Sequence, residues 1–270
     1  MHPIERLRYV ARAAGGGEMV VREAAGALAG FADDPPGLVT ASRRMVGRHP
    51  TSGPMWWLAA RVLTSPDPAG EAWEAVRDLE DDPTPREVAA ALPADATCTL
   101  IGWPMLGGQA LRRRGDLSLF TVDAAGEWGH ILSRLERFGI EATEVPESGT
   151  GQAILASDLL LLECEAAGPD GFVAPAGSRA AAAAARHGGV PVWLVCGVGR
   201  VLPASMWKAL LRSFEEDNEP WERADEVVPL DLVDIVVGPV GVRDTTAMIR
   251  STDCPVAPEL LKPLAAPGTA

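Results

Sequence analysis

Two carboxylates close an unbroken apolar run in Ser157-Asp158-Leu159-Leu160-Leu161-Leu162-Glu163-Cys164-Glu165. Glu163 and Glu165 lie two residues apart, so on an extended chain they face the same side. A carboxylate at a strand end can move a proton or accept hydrogen bonds from ligand hydroxyls. Asp170-Gly171 is a turn signal, and Gly171-Phe172-Val173-Ala174 reads as a small hairpin arm. Gly177-Ser178 then opens a helix that is almost entirely alanine as far as Ala185. These two residues can offer backbone N–H groups and a hydroxyl to a phosphate. They can equally be an N-cap at a tight packing face, because alanine is the smallest strong helix former.

Other loops carry similar groups. Gly107-Gly108 follows the apolar run Thr97–Ile101 and could present backbone N–H groups to an anion, or serve a loop of unusual backbone angles. Asp123 follows the run 117–122 and can accept from ligand hydroxyls or cap the next helix. Gly197-Val198-Gly199-Arg200 ends in a fixed positive charge that could hold a phosphate or carboxylate.

The elements that must position these groups fall into two regions. Residues 1 to about 92 read as helical. Ile4, Leu7, Tyr9/Val10 and Ala14 recur at helical spacing, and Gly15-Gly16-Gly17 ends that helix. A second helix spans 18–31, and Asp33-Asp34-Pro35-Pro36 starts a third. His49 to Pro54 is a sharp junction before a fourth helix, Met55–Leu63. Pro66-Asp67-Pro68 opens a fifth, and 83–91 is a short sixth. From 93 to 270 short apolar runs alternate with helices. The runs are 97–101, 117–122, 140–145, 159–162, 190–196 and 234–237. The helices are 108–114, 127–138, 150–156, 179–187 and 204–214. This alternation predicts an α/β fold, a helical N-terminal domain followed by a Rossmann-like, mostly parallel sheet covered on both faces. In such sheets ligands sit outside the carboxyl ends of the strands.

Composition excludes several classes. Of 270 residues, 47% are hydrophobic, enough for a core. No apolar run approaches the ~20 residues of a membrane helix, and the charged N-terminus has no signal-peptide pattern, so no membrane association and a cytoplasmic location are expected. A net charge of −13 opposes direct nucleic-acid binding. The basic cluster Arg112-Arg113-Arg114 reads as a solvated helix end before Gly115. Cys98, Cys164, Cys196 and Cys254 form no CxxC, and neither they nor the four histidines show metal-ligand spacing. No metal and no cofactor are expected, and buried free thiols are the reading for the cysteines.

The stretch LLLLECEAAGPDGFVAPAGSRAAAAAA resembles the strand, "GAD-x-x-x-x-NG" turn and "GT" helix start of one family. That family unites the translation initiation factor 2B regulatory subunits with methylthioribose-1-phosphate isomerase and ribose-1,5-bisphosphate isomerase. HPTSGPMWWLAARVL (His49 to Leu63) is similar to the "RPTAVNLFWALDRM" segment of the isomerases. The resemblance covers most of the chain in the right order. It implies a fold of the NagB/RpiA/CoA-transferase type and pairing through the α/β domain into a homodimer. It also implies a phosphosugar or nucleotide pocket between the domains, with Glu165 in the place of the active-site aspartate and His49 and Thr51 beside the ligand.

The departures bear on activity. Gly102-Trp103-Pro104-Met105 stands where the isomerases resemble one another in a cysteine-bearing loop, and Cys98 lies earlier, inside the strand. His49 replaces an arginine. Asp123-Ala124-Ala125-Gly126 lacks the arginine of an "E-x-R-P" segment. These changes point to a non-catalytic or diverged relative. The alternatives are a phosphosugar isomerase or lyase with rewired acid/base groups, Glu165 with His49 or Asp123, and an interaction module without ligand.

Overall fold

The structure is a computed structural model, and it describes residues 18–122, 140–215 and 219–262. The helix expected over Ile4–Ala14, the helix expected over 127–138 and Asp123 lie outside the described residues.

Helices α1 (Glu18–Ala29), α2 (Pro35–Arg48), α3 (Gly53–Thr64), α4 (Pro68–Glu80) and α5 (Thr84–Ala91) come first. Two of them begin where aspartate precedes proline. Asp34 accepts from the Gly37 N–H at 3.1 Å, and Asp67 accepts from the Gly70 N–H at 3.0 Å. Each cap satisfies a donor that the first turn leaves unpaired, and proline fits that turn because it needs no donor there. Helix α3 is buried almost all round, Trp56 and Trp57 included. The other helices of this group enclose it, and α5 instead packs on the sheet through Val88.

The rest of the chain forms β1 (Thr97–Ile101), α6 (Met105–Leu111), β2 (Ser118–Val122), β3 (Glu141–Val145), α7 (Thr150–Leu155) and β4 (Leu159–Glu163). Next come β5 (Ala166–Ala167), β6 (Gly171–Pro175), α8 (Ser178–Gly188), β7 (Val192–Val195) and α9 (Ala204–Glu215). The described chain closes with β8 (Asp225–Pro229), β9 (Ile235–Gly238), β10 (Gly241–Arg243) and α10 (Thr245–Arg250). Seven strands make one sheet in the order β10-β9-β7-β4-β1-β2-β3, parallel except for β10. Strand β4 shows why its sequence is a solid leucine run. Leu160 and Leu162 enter the core layer beneath α8, while Leu159 and Leu161 enter the layer beneath α5 and α6. A strand covered on both faces has no polar alternate.

The expected α/β class and the six expected strands are present, with no strand among the described residues before 97. Three features were not expected. The hairpin arm is part of a second sheet, β5-β6-β8, in which β8 pairs antiparallel with β6. The hairpin β9–β10 and helix α10 follow the last expected strand. Helix α6 starts at Met105, three residues before its expected start. Pro104 supplies the extended residue ahead of it, and position 108 inside the helix must be glycine because a Cβ there would come within 2.5 Å of the Trp103 ring.

Candidate functional site

The strand order reverses between β1 and β4, so their carboxyl ends flank the switch point at which open α/β sheets bind ligands. Glu163, the last residue of β4, sits there and is buried. Its Oε2 accepts the backbone N–H groups of Leu106 and Gly107, each at 2.9 Å. Its Oε1 lies 3.0 Å from Nη2 of Arg200, and the two side chains are only 6% and 10% exposed. Arg200 Nη1 also donates to the Cys164 carbonyl. Burial pushes the Glu163 carboxyl above its usual range, against the pull of Arg200 and of the two N–H groups. Burial also works against the Arg200 charge, but Glu163 and then Glu165 hold that guanidinium charged.

These contacts give Gly107, Gly108 and Arg200 an internal use. The anion that Gly107 and Arg200 hold is the chain's own carboxylate. The Gly108 N–H donates to the Pro104 carbonyl at 2.9 Å within the helix. In the sequence Glu163 is a strand-end carboxylate beside Glu165, with no partner in view. Its partners, Arg200 and the start of α6, lie 37 and 57 residues away, and no local pattern joins them.

Glu165 stands on the other side of Cys164 and is half-buried. Its backbone is fixed on both sides. Its N–H donates to the Val173 carbonyl at 2.8 Å, and its carbonyl accepts from the Gly53 N–H at 2.9 Å. The second contact joins the start of α3 to the strand ends. A Cβ on Gly53 would come within 2.7 Å of the Glu165 carbonyl oxygen and 3.0 Å of the Arg200 Cα, so only glycine permits this approach. Asp225, at the start of β8, is the acidic neighbour that the sequence reading missed. Burial, and then the charge of Glu165, push the Asp225 carboxyl up to about 6, while a hydrogen bond with Thr51 opposes them. Glu165, Thr51 and Asp225 thus meet from three separate parts of the chain. Asp225 lies in the charged stretch Glu222-Arg223-Ala224-Asp225-Glu226, which reads as a solvated segment.

His49 is buried at the C-cap of α2, where its backbone N–H donates to the Met45 carbonyl at 3.1 Å. Gly177 precedes α8 with φ +92°, a backbone angle that glycine adopts at little cost and that strains other residues. The Ser178 hydroxyl behind it is buried without a hydrogen-bond partner. The Arg179 N–H is taken by Glu226 at 2.9 Å. Cys98 is buried in β1, and burial pushes its thiol up to about 12, so it offers no thiolate near neutral pH. Among the described residues no cluster of three histidine, cysteine or acidic side chains could hold a metal ion, and no helix is long and apolar enough to cross a membrane.

No protein-family model matches the sequence, and no curated protein matches it. Solved structures do match the fold. Translation initiation factor eIF-2B of Pyrococcus horikoshii OT3 superposes with a TM-score of 0.74, over 92% of this chain and 98% of that one, at 16% identity. A chain of the tetrameric eIF2B-beta2-delta2 complex of C. thermophilum gives a TM-score of 0.69, over 92% of both chains, at 15% identity. The chain has the fold of the initiation factor 2B subunits. 5-Methylthioribose 1-phosphate isomerase of P. horikoshii OT3 is also similar, with a TM-score of 0.62 over 90% of this chain and 84% of that one, at 13% identity. On this initiation factor 2B fold, the group that fills the switch point is Glu163 with its arginine. The half-buried carboxylate beside it is Glu165.

Proposed function

We propose that this chain is an initiation factor 2B subunit-like protein, a diverged relative of the sugar-phosphate isomerases that does not run their reaction. On this reading its helical part, residues 1–92, and its α/β part, residues 93–270, enclose a pocket for a phosphosugar or nucleotide. The observation that carries the reading is the Glu163 carboxylate on the Leu106 and Gly107 N–H groups and on Arg200. An isomerase of a phosphorylated pentose needs a positioned acid/base pair and anion clamps. Here the loop after β1 carries no cysteine, and the clamp-like groups beside it are engaged by the chain itself. Ligand hydroxyls would meet Glu165, Asp225 and Thr51. A phosphate would meet the Ser178 hydroxyl at the start of α8, in competition with the Glu226 carboxylate that holds the Arg179 N–H. Self-association is part of the proposal, supported by the tetrameric assembly of the C. thermophilum relative. So is a cytoplasmic location without membrane or nucleic-acid contact.

The test is thermal stability against pentose phosphates and bisphosphates, methylthioribose 1-phosphate and nucleotides, with turnover followed on the same compounds. A ligand at about 100 times its dissociation constant adds about 2.7 kcal/mol, several degrees for a chain of this size. The expected result is a specific shift without turnover, lost on changing Ser178 to a bulkier residue that still folds. Turnover by the wild type that is lost in Glu165→Gln overturns it.

One observation favours the second reading, an isomerase with rewired acid/base groups. Asp225 titrates at about 6 next to Glu165, a value suited to proton transfer near neutral pH. That reading requires a bell-shaped rate profile whose acid limb moves in Asp225→Asn.

A further inference from the structure

Strand β10 ends the seven-stranded sheet, and among the described residues it is paired only with β9. An open strand edge presents backbone donors and acceptors to any chain that can align with it. Proteins guard such edges with charge or by keeping them short, and β10 is short and carries Arg243. Its one apolar side chain does not fit a guarded edge. Val242 is 56% exposed, and Val240 in the turn before the strand is 63% exposed.

The position of the arginine resolves the conflict. In an antiparallel pairing of β10 with a second β10 centred on Val242, Arg243 of each copy falls opposite Gly241 of the other. Gly241 has φ +86°, which keeps a side chain out of that position, and a Cβ there would have one neighbour within 4 Å, Glu87 Oε2 at 3.5 Å. Cross-strand neighbours project from the same face of a sheet, with Cβ atoms about 5 Å apart. An arginine opposite Gly241 therefore reaches Glu87. The other carboxylate oxygen, Glu87 Oε1, is already held by Arg86 at 3.0 Å. The charge that would repel a neutral strand is thus matched by a carboxylate on the same molecule.

We propose that β10 pairs with β10 of a second copy of this chain about a twofold axis at Val242. One sheet then runs through both copies, Val242 faces Val242, and Arg243 of each copy pairs with Glu87 of the other. A twofold contact uses the same patch twice, so this patch must be self-complementary, as Arg243 and Glu87 make it. The inference rests on the self-association reading above and names its surface.

The test is sedimentation equilibrium of the full chain with a charge-swap cycle. The wild type should be a dimer. Glu87→Arg and Arg243→Glu should each raise the dimer dissociation constant at least about tenfold, because each sets like charges together. The double variant Glu87→Arg/Arg243→Glu should return to within about threefold of the wild type, since opposite charges face again. These side chains are on the surface, and circular dichroism confirms that each variant folds. Amide exchange at Val242 should slow as protein concentration rises. A dimer that ignores both single swaps, or a double variant that stays dissociated, overturns this surface and leaves self-association standing. A wild type that is monomeric up to ~100 times a micromolar dissociation constant overturns both.

Discussion

Glu163 and Arg200 form an ion pair of 3.0 Å at the carboxyl ends of β4 and β7, with both side chains nearly closed to solvent. Removing one partner leaves the other charge buried and unpaired, which costs about 3–5 kcal/mol. Glu163→Ala also strips the acceptor from the Leu106 and Gly107 N–H groups. Glu163→Ala and Arg200→Ala should each lower unfolding free energy by that order in urea titration. The double variant Glu163→Leu/Arg200→Met should lose less than either single one, because no orphan charge remains. A double variant that loses the sum of the two would refute the account.

Asp225 sets a pH dependence. Its carboxyl titrates near 3.8 in the unfolded chain and at about 6 in the fold. The native state therefore keeps a proton that the unfolded chain has released over that interval. The stability linked to this group is complete below pH 3.8 and is lost as pH rises through 6. Asp225→Asn cannot ionise. It should match the wild type near pH 4 and exceed its stability by roughly 2 kcal/mol at pH 7. Urea titrations at the two pH values check this, and a variant less stable at pH 7 than the wild type would contradict it.

Arg61 is held on three sides. Its guanidinium pairs with Glu71 and with Asp78 at 2.5 Å, and it lies 4.5 Å from the centre of the Trp57 ring. The Trp57 indole in turn donates to Asp253 at 3.1 Å. A lysine keeps the charge but cannot serve two carboxylates and a ring face together. Arg61→Lys should lower the thermal midpoint by several degrees, about 1–2 kcal/mol. An unchanged midpoint would show that the network contributes nothing.

Gly53 leaves no room for a side chain between α3 and the strand ends. Gly53→Ala should cost about 1–3 kcal/mol by overpacking, although alanine favours helix at an exposed position. A ligand that contacts Glu165 should also bind more weakly to this variant, because the intruding methyl group pushes on the Glu165 carbonyl. Equal stability of the two proteins, measured by calorimetry, would rule the contact out.

The strands and most helix starts were legible because they rest on local rules. Asp34 and Asp67 before proline mark two helices, and Leu159–Leu162 marks a strand buried on both faces. The expected start of α6 at 108 falls three residues late because Gly107 and Gly108 read as the helix N-terminus, whereas the helix begins at Met105 and the Trp103 ring leaves no room for a side chain at 108. In the site, Glu165 was visible as a carboxylate after an apolar run, and Thr51 only through the family resemblance of the segment that begins at His49. Asp225 was not, since its contact with Thr51 joins residues on opposite sides of the sequence. The pairing of Glu163 with Arg200 was equally hidden. Charge and spacing identify Glu163 and Arg200 one by one, but only the sheet order decides that they meet.

The largest apolar cluster joins Val20 in α1 to Leu260 near the end of the described chain. It includes Ala166 and Val173 from the small sheet and Met206, Trp207 and Leu210 from α9. Neither the N-terminal helices nor the small sheet with α9 closes this core without the other, so the two should melt together. Fraying of the N-terminal helices would wet Trp207 and loosen the link between β4 and β5 that carries Glu165. The strand-end carboxylate is therefore held in place by the cooperativity of the whole chain, and any ligand that grips it acts on global stability.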